Sequence, residues 1–481
     1  MIDNLIDEIE HYEKLGFGHD IENMCKQALN IDPSNLKVLD KLSFFYFKNK
    51  EYNKSIDLLD TYSNIFDSRT YLTNKALCFW HLEKFSDALE LLNQLEIYYQ
   101  SNSISDWDFY FNRGIIHWSL NQYDDAKKDF VKASELNPES VEPLQKLASL
   151  ELDLGKYEAC QYYLGKALFL DPNNHNTQLI RSFCLLQTGK WEEGWQLYEY
   201  RPSIQDFLQK KYSAPYYTGV EDIKGKTVLV VSEQGIGDTF LFARYLNPLA
   251  GKGAKIVFEV QKSCVPVFAE YDFLEQVLEK GTYTGHYDFV CPLASLINLL
   301  RMANTEIPFA SGYLKSNEKL VTKWKNILGD SPKIKVGITW AGEKVFGDWK
   351  RSIKFEKFIT ALPQGPFEFI CLHTNLTSEE RELLPQYGIK NYTDLQFDFA
   401  ETSALITNCD LVISTCTSIA NLAGALGKRS WILTQYAMDY RWFNNSPFYS
   451  SAKLYRQSTQ GNWDPILDQL NKDLTKLANY E

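Results

Sequence analysis

Up to about residue 201, apolar side chains recur at helical spacing, and the helical pattern itself repeats. The stretch YDDAKKDFVKASELNP, from Tyr123 to Pro138, returns 34 residues later as YEACQYYLGKALFLDP, from Tyr157 to Pro172. Gly114 corresponds to Ala148, and Ala133 to Ala167, at the same offset. Weaker copies precede these: MCKQALNIDP ending at Pro33, YNKSIDLL at Tyr52 to Leu59, and FSDALELL at Phe85 to Leu92. A sixth, partial unit closes with KWEEGWQLYEYR at Arg201. Each unit has small residues where two antiparallel helices must approach, aromatic or Leu residues in the next layer, and a Pro after the second helix. The pattern predicts helix pairs stacked on helix pairs.

From about residue 202 the pattern changes, with Pro202, Pro215, Tyr216, Tyr217 and Gly219 interrupting the helical period. Predicted strands follow at Val228 to Glu233, Lys255 to Gln261, Lys335 to Trp340, Phe367 to Leu372, Leu411 to Cys416, Ser430 to Gln435 and Ala452 to Gln457. These are nearly continuous Val, Ile, Leu and Phe runs, as strands buried on both faces require. Helical stretches such as TFLFARYLNPLAG and SIANLAGALG alternate with them, so parallel α/β sheets are expected. The strands fall on either side of the polar stretch Ser316 to Lys333. The expected fold class is therefore α followed by α/β: a helical-repeat solenoid over 1–201, a linker over 202–222, and two Rossmann-like lobes, 223–330 and 331–481, facing one another across a cleft. The tail NWDPILDQLNKDLTKLANY reads as an amphipathic helix with Ile466, Leu470 and Leu474 on one face.

Composition narrows the classes. The 481 residues are 44% hydrophobic and 23% charged, ordinary globular usage. Lys and Arg number 50 against 62 Asp and Glu, and the net charge of −12 argues against a nucleic-acid partner or capture by an anionic membrane. The nine cysteines form no CxxC pair, which fits reduced thiols and a cytoplasmic setting. The acidic start MIDNLIDEIEHYEKLG lacks the pattern of an export signal, and no apolar run reaches the length of a transmembrane segment.

Candidate chemistry lies where predicted strands break into loops. In SEQGIGDTFLFARYL a strand runs into Gly235 and Gly237, and a helix begins near Asp238, either a general base or a helix cap. The segment is neither a Walker loop nor GxGxxG, which also weakens a nucleotide-dependent oxidoreductase reading. In VGITWAGEKVFGDWKRSIKF a strand ends at Trp340 before a loop bearing Lys344, Lys350 and Arg351, cations placed to meet a phosphate or simply solvated. In DLVISTCTSIANLAGALG a strand breaks into Ser414, Thr415, Cys416, Thr417 and Ser418, whose hydroxyls and amides suit a diphosphate or a helix cap. His286 and His373 have no partner at metal-ligand spacing, and both read as ordinary loop or core residues.

Gly114, Ala126, Ala133 and Ala148, with Phe130 and Pro138, resemble the tetratricopeptide repeat, a two-helix unit of 34 residues. Such arrays commonly hold a protein or peptide on their concave face, against the simpler role of dimerising or capping the next domain. Residues from about 190 to 457 resemble the glycosyltransferase-like domain found behind tetratricopeptide repeats, related to the heptosyltransferases of glycosyltransferase family nine. The resemblance rests on GKWEEGWQLYEYR, SEQGIGDTFLFARYL, KIVFEVQ, YDFVCPLASL, VGITWAG with the later RSI, STCTSIANLAGALGK, DYRWF and SAKLYRQ. It implies a GT-B fold, a nucleotide-sugar donor, no obligatory metal and no cofactor. It also implies Asp238 as catalytic base, and donor contacts from Gly235, Gly237, Lys350, Arg351, Ser414, Thr415, Cys416, Thr417, Ser418 and Asn421. In GT-B relatives the terminal helix often crosses back to the first lobe. Related domains carry Asp where this chain has Cys416 and His where it has Asn421, changes that point either to a different donor or to a noncatalytic scaffold.

Overall fold

A computed structural model describes residues 2–15, 18–210, 212–303, 307–343, 348–437, 439–443 and 446–480. The loop cation Lys344 lies outside the described residues. Up to Tyr198 the helices come in twos: Ile2–Leu15 with Gly18–Ile31, Leu36–Lys48 with Tyr52–Thr61, Ser68–His81 with Phe85–Asn102, and Trp107–Ser119 with Tyr123–Leu136. Glu142–Asp153 then leads to Tyr157–Leu170, and His175–Gln187 to Trp191–Tyr198. The sixth unit, expected as partial, is thus a complete pair. First helices begin where a polar side chain takes a backbone N–H at the open end, as Asn35, Asp67, Asp106 and Asn174 do. Packing explains the small-residue positions: a Cβ on Gly114 would stand 2.7 Å from the ring of Phe130. Ala126, Phe130 and Ala133 are fully buried around it.

The chain divides into two compact units, Met1–Leu150 and Glu151–Glu481. The change from repeats to sheets was expected at 201, whereas compactness changes some fifty residues earlier. Within the second unit, helix Trp191–Tyr198 is built into the α/β body. Trp195, 1% exposed, packs edge-on against Phe242, Tyr440 and Phe448. Arg201 reaches Glu233 at 2.7 Å and Ser295 at 2.8 Å, and Glu199 accepts from Ser295 at 2.7 Å.

The second unit contains two separate parallel sheets. The first has β1 (Thr227–Val231), β2 (Lys255–Val260), β3 (Leu274–Glu279) and β4 (Phe289–Pro292) in the order β3-β2-β1-β4. The second has β5 (Ile334–Thr339), β6 (Phe367–Cys371), β7 (Lys390–Asn391), β8 (Leu411–Thr415), β9 (Ser430–Thr434) and β10 (Ala452–Arg456). Its order is β10-β9-β8-β5-β6-β7. All seven predicted strands form. Strands β3, β4 and β7 were not anticipated: half of the β3 residues are exposed, β4 has four residues and ends in Pro292, and β7 has two. The carboxyl ends of β1, β2, β5, β6, β8 and β9 meet the same cavity.

The terminal helix, Asp464–Tyr480, does not cross back to the first lobe. Ile466, Leu467, Leu470, Leu474 and Leu477 are buried in one cluster with Val336, Ile338, Trp431 and Tyr455. The apolar stripe is therefore matched by the second sheet itself, and Asn471 ties the helix to the carbonyl of Ala361 at 2.9 Å. Among the described residues, no helix is long and apolar enough to cross a membrane.

Candidate functional site

The loops after β1, β2, β5, β6, β8 and β9 line one cavity of about 570 Å³. Open parallel sheets bind ligands just beyond the carboxyl ends of their strands, where helix N-termini and loop amides converge. A volume of this size suits a small organic ligand.

Gly235, Gly237, Asp238, Arg351, Cys416, Thr417, Ser418 and Asn421 all line the cavity. Gly235 precedes helix Ile236–Phe242. Gly237 packs closely on the second lobe: a Cβ there would lie 3.1 Å from Nδ2 of Asn421 on helix Ser418–Ala425, a tight contact. Asp238, the third residue of its helix, makes no cap. Its Oδ1 accepts instead from Arg441 Nε at 2.9 Å and Nη2 at 2.6 Å, and from Tyr440 at 3.4 Å. No described residue donates to Oδ2 of Asp238.

Arg351 is bound through Nε to Asp348 at 2.8 Å and through Nη1 to the carbonyl of Cys416 at 3.3 Å, joining the loop after β5 to the turn after β8. Thr417 occupies the cap position of helix Ser418–Ala425 without capping it, because its hydroxyl pairs with Ser414 at 3.0 Å. Cys416 accepts a hydrogen bond from the indole of Trp442, and burial pushes its thiol up to about 12. Asn421 donates to the carbonyl of Thr417 at 3.0 Å and accepts from Tyr449 at 3.1 Å.

Three expected contacts are not brought to the cavity. Lys350 lies instead 3.8 Å from Asp153. Ser414 and Thr415 are fully buried behind the turn, and the Thr415 hydroxyl has no hydrogen-bond partner. Both still belong to β8, and it is the residues after Thr415 that line the opening.

The fold also adds residues to the site. Arg441 and Asp439 follow β9, and Arg441 Nη1 holds Asp439 at 2.9 Å. Burial opposes the Arg441 charge, but the Asp238 and Asp439 carboxylates outweigh it and hold the guanidinium well above its ordinary range. The paired charges in DYRWF, just past a predicted strand, were the available signal. His373 follows β6, is 6% exposed, and packs against Trp340 with ring centroids 5.0 Å apart. It too sits at a strand end, the rule that found Arg351. His286 is exposed, 3.9 Å from Asp288.

Comparison with known proteins matches the helical pairs most directly. Residues 107–140 match the tetratricopeptide repeat family. Protein FlbA of Caulobacter vibrioides is 24% identical over 388 residues, covering 73% of this chain and 64% of its own. RNA polymerase II-associated protein 3 of Rattus norvegicus is 27% identical over 165 residues, covering 33% of this chain and 24% of its own. The chain thus spans less than two thirds of either relative. A solved tetratricopeptide repeat protein from Parabacteroides merdae is 18% identical, with a TM-score of 0.36, covering 52% of this chain and 87% of that one.

Proposed function

We propose that the second unit is a GT-B glycosyltransferase body that transfers a sugar from a nucleotide-sugar to a protein or glycan acceptor, recruited with the help of the helical pairs, whose concave face holds a protein or peptide. The observation that carries this reading is that the loops after β1, β5 and β8 meet on one cavity with Asp238, Arg351 and the Cys416–Ser418 turn along its wall. Oδ2 of Asp238, free of described partners, is the atom to accept the acceptor's hydroxyl proton as that oxygen bonds to the anomeric carbon. The bond from the anomeric carbon to the phosphate oxygen breaks, and the departing phosphate carries away the electron pair. Arg351 and the backbone amides at the start of helix Ser418–Ala425 stabilise that charge.

A second reading, a noncatalytic nucleotide- or sugar-binding scaffold, is favoured by Cys416 and Asn421. Both are engaged inside the protein, with Trp442 and with Thr417 and Tyr449 respectively. A nucleotide-sugar panel read by thermal shift, followed by donor-consumption assays with candidate acceptors, separates the two. Donor consumption that is lost in Asp238→Ala with donor affinity retained supports transfer. Stabilisation without consumption favours the scaffold, and unchanged turnover in Asp238→Ala removes Asp238 from the mechanism.

A further inference from the structure

Among the described residues lining the cavity, only Arg351 and Arg441 carry permanent positive charge. Arg351 bonds to Asp348 and to the Cys416 carbonyl, both in its own lobe. Arg441 is arranged differently. Its Nη1 is held by Asp439 from its own loop at 2.9 Å, and its guanidinium lies 4.4 Å from the ring of Tyr440, so its position is set within the second lobe. Its Nε and Nη2 cross to the first lobe, and both donate to the single oxygen Oδ1 of Asp238.

A guanidinium edge matches two oxygens side by side, one for each N–H. Here two donors converge on one oxygen while Oδ2 takes no hydrogen bond from any described residue, so the pair is electrostatically satisfied but geometrically incomplete. A phosphate or carboxylate entering the cavity offers that edge two oxygens. Asp439 and the Tyr440 ring keep the guanidinium in place during such an exchange.

We propose that Arg441 is an anion-binding residue of this cleft and that it takes up the ligand's phosphate or carboxylate by exchanging its bond to Asp238. The proposal rests on reading the cleft as the site of a phosphorylated sugar donor. The exchange has two consequences. It removes an ion pair that spans the lobes, and it releases Asp238 from its guanidinium partner when the anion arrives, so the candidate base is freed only in a loaded site.

Competition gives the proposal an unusual sign. Asp238 and the ligand vie for one guanidinium, so removing the carboxylate should tighten anion binding although it removes a residue from the cavity wall. The test is calorimetric titration of the full chain with inorganic pyrophosphate, with circular dichroism of each variant to verify folding. Asp238→Asn is expected to bind about fivefold more tightly than the unsubstituted protein, and Arg441→Gln about tenfold more weakly. Arg441→Lys, which keeps the charge but not the two-donor edge, is expected to fall between Arg441→Gln and the unsubstituted protein and tests the same point should Arg441→Gln not fold. Equal or weaker binding by Asp238→Asn overturns the exchange, as does undiminished binding by Arg441→Gln or Arg441→Lys. The transferase reading stands or falls separately on donor consumption: opposite shifts without sugar transfer sink only that reading, and transfer without opposite shifts sinks only this one.

Discussion

The indole N–H of Trp442 donates to the sulfur of Cys416 across the cleft wall, 2.8 Å from Nε1 to Sγ. The thiol thus helps to hold the DYRWF loop against the turn after β8. Burial, with Asp439 adding to it, pushes this thiol up to about 12. Cys416 is also the least buried of the nine free cysteines, so exposure alone would favour its modification.

The first prediction separates exposure from ionisation. At pH 8 an ordinary cysteine is partly thiolate, but a thiol raised to about 12 stays protonated. Iodoacetamide should therefore label Cys416 far more slowly than a free cysteine at pH 8, as read by peptide mass spectrometry. Labelling should accelerate as the pH rises toward 10. Labelling at the rate of a model thiol would contradict the assignment.

Trp195 tests whether helix Trp191–Tyr198 belongs to the α/β body. The ring touches residues from both lobes, Phe242 on one side and Tyr440 and Phe448 on the other. Trp195→Ala should cost about 3–5 kcal/mol. Hydrogen exchange should rise together in 236–242 and 440–442 if the ring joins these segments, and only within 191–198 if it does not.

Arg113 and Asp129 make the corresponding test in the first unit. Arg113 donates to both Asp129 oxygens at 2.8 Å and also reaches Glu96 at 2.8 Å, with Asp129 5% exposed. Arg113→Ala strands a buried carboxylate and should destabilise the repeats by about 3–5 kcal/mol in chemical denaturation. Arg113→Met combined with Asp129→Leu should recover most of that loss. A double variant as unstable as the single one would assign the effect to lost packing instead.

Asp473 gives the pH dependence of the terminal helix. Burial works against its charge, but the Lys453 ammonium at 2.6 Å and the Tyr455 hydroxyl at 2.8 Å outweigh it and hold the carboxyl below its usual range. A carboxyl lowered by folding contributes stability above the unfolded value of about 3.9, and that contribution disappears as pH falls through the folded value. Asp473→Asn should thus lower stability by about 1–2 kcal/mol at pH 7. The difference from the unsubstituted protein should narrow below pH 4 in parallel denaturation curves.

The repeat and the buried strands could be read from the chain because both are written at short range. Helical period and small-residue spacing announced the hairpin of Trp107–Ser119 and Tyr123–Leu136, and uninterrupted apolar runs announced β1, β5, β8 and β9. The run LEQVLE of β3 carries three exposed positions, all of them acidic or amide, and KN of β7 has no apolar residue, so their pairing partners rather than their own composition make them strands. Within the site, strand ends flagged Asp238 and Arg351. They could not separate Arg351, which faces the cavity, from adjacent Lys350, which lies near Asp153. Nor could they join Asp238 to Arg441, 203 residues away. Backbone geometry fixes periods locally. Which side chains share a cleft depends on how distant strand ends approach and on the direction each loop takes, and only the folded chain determines that.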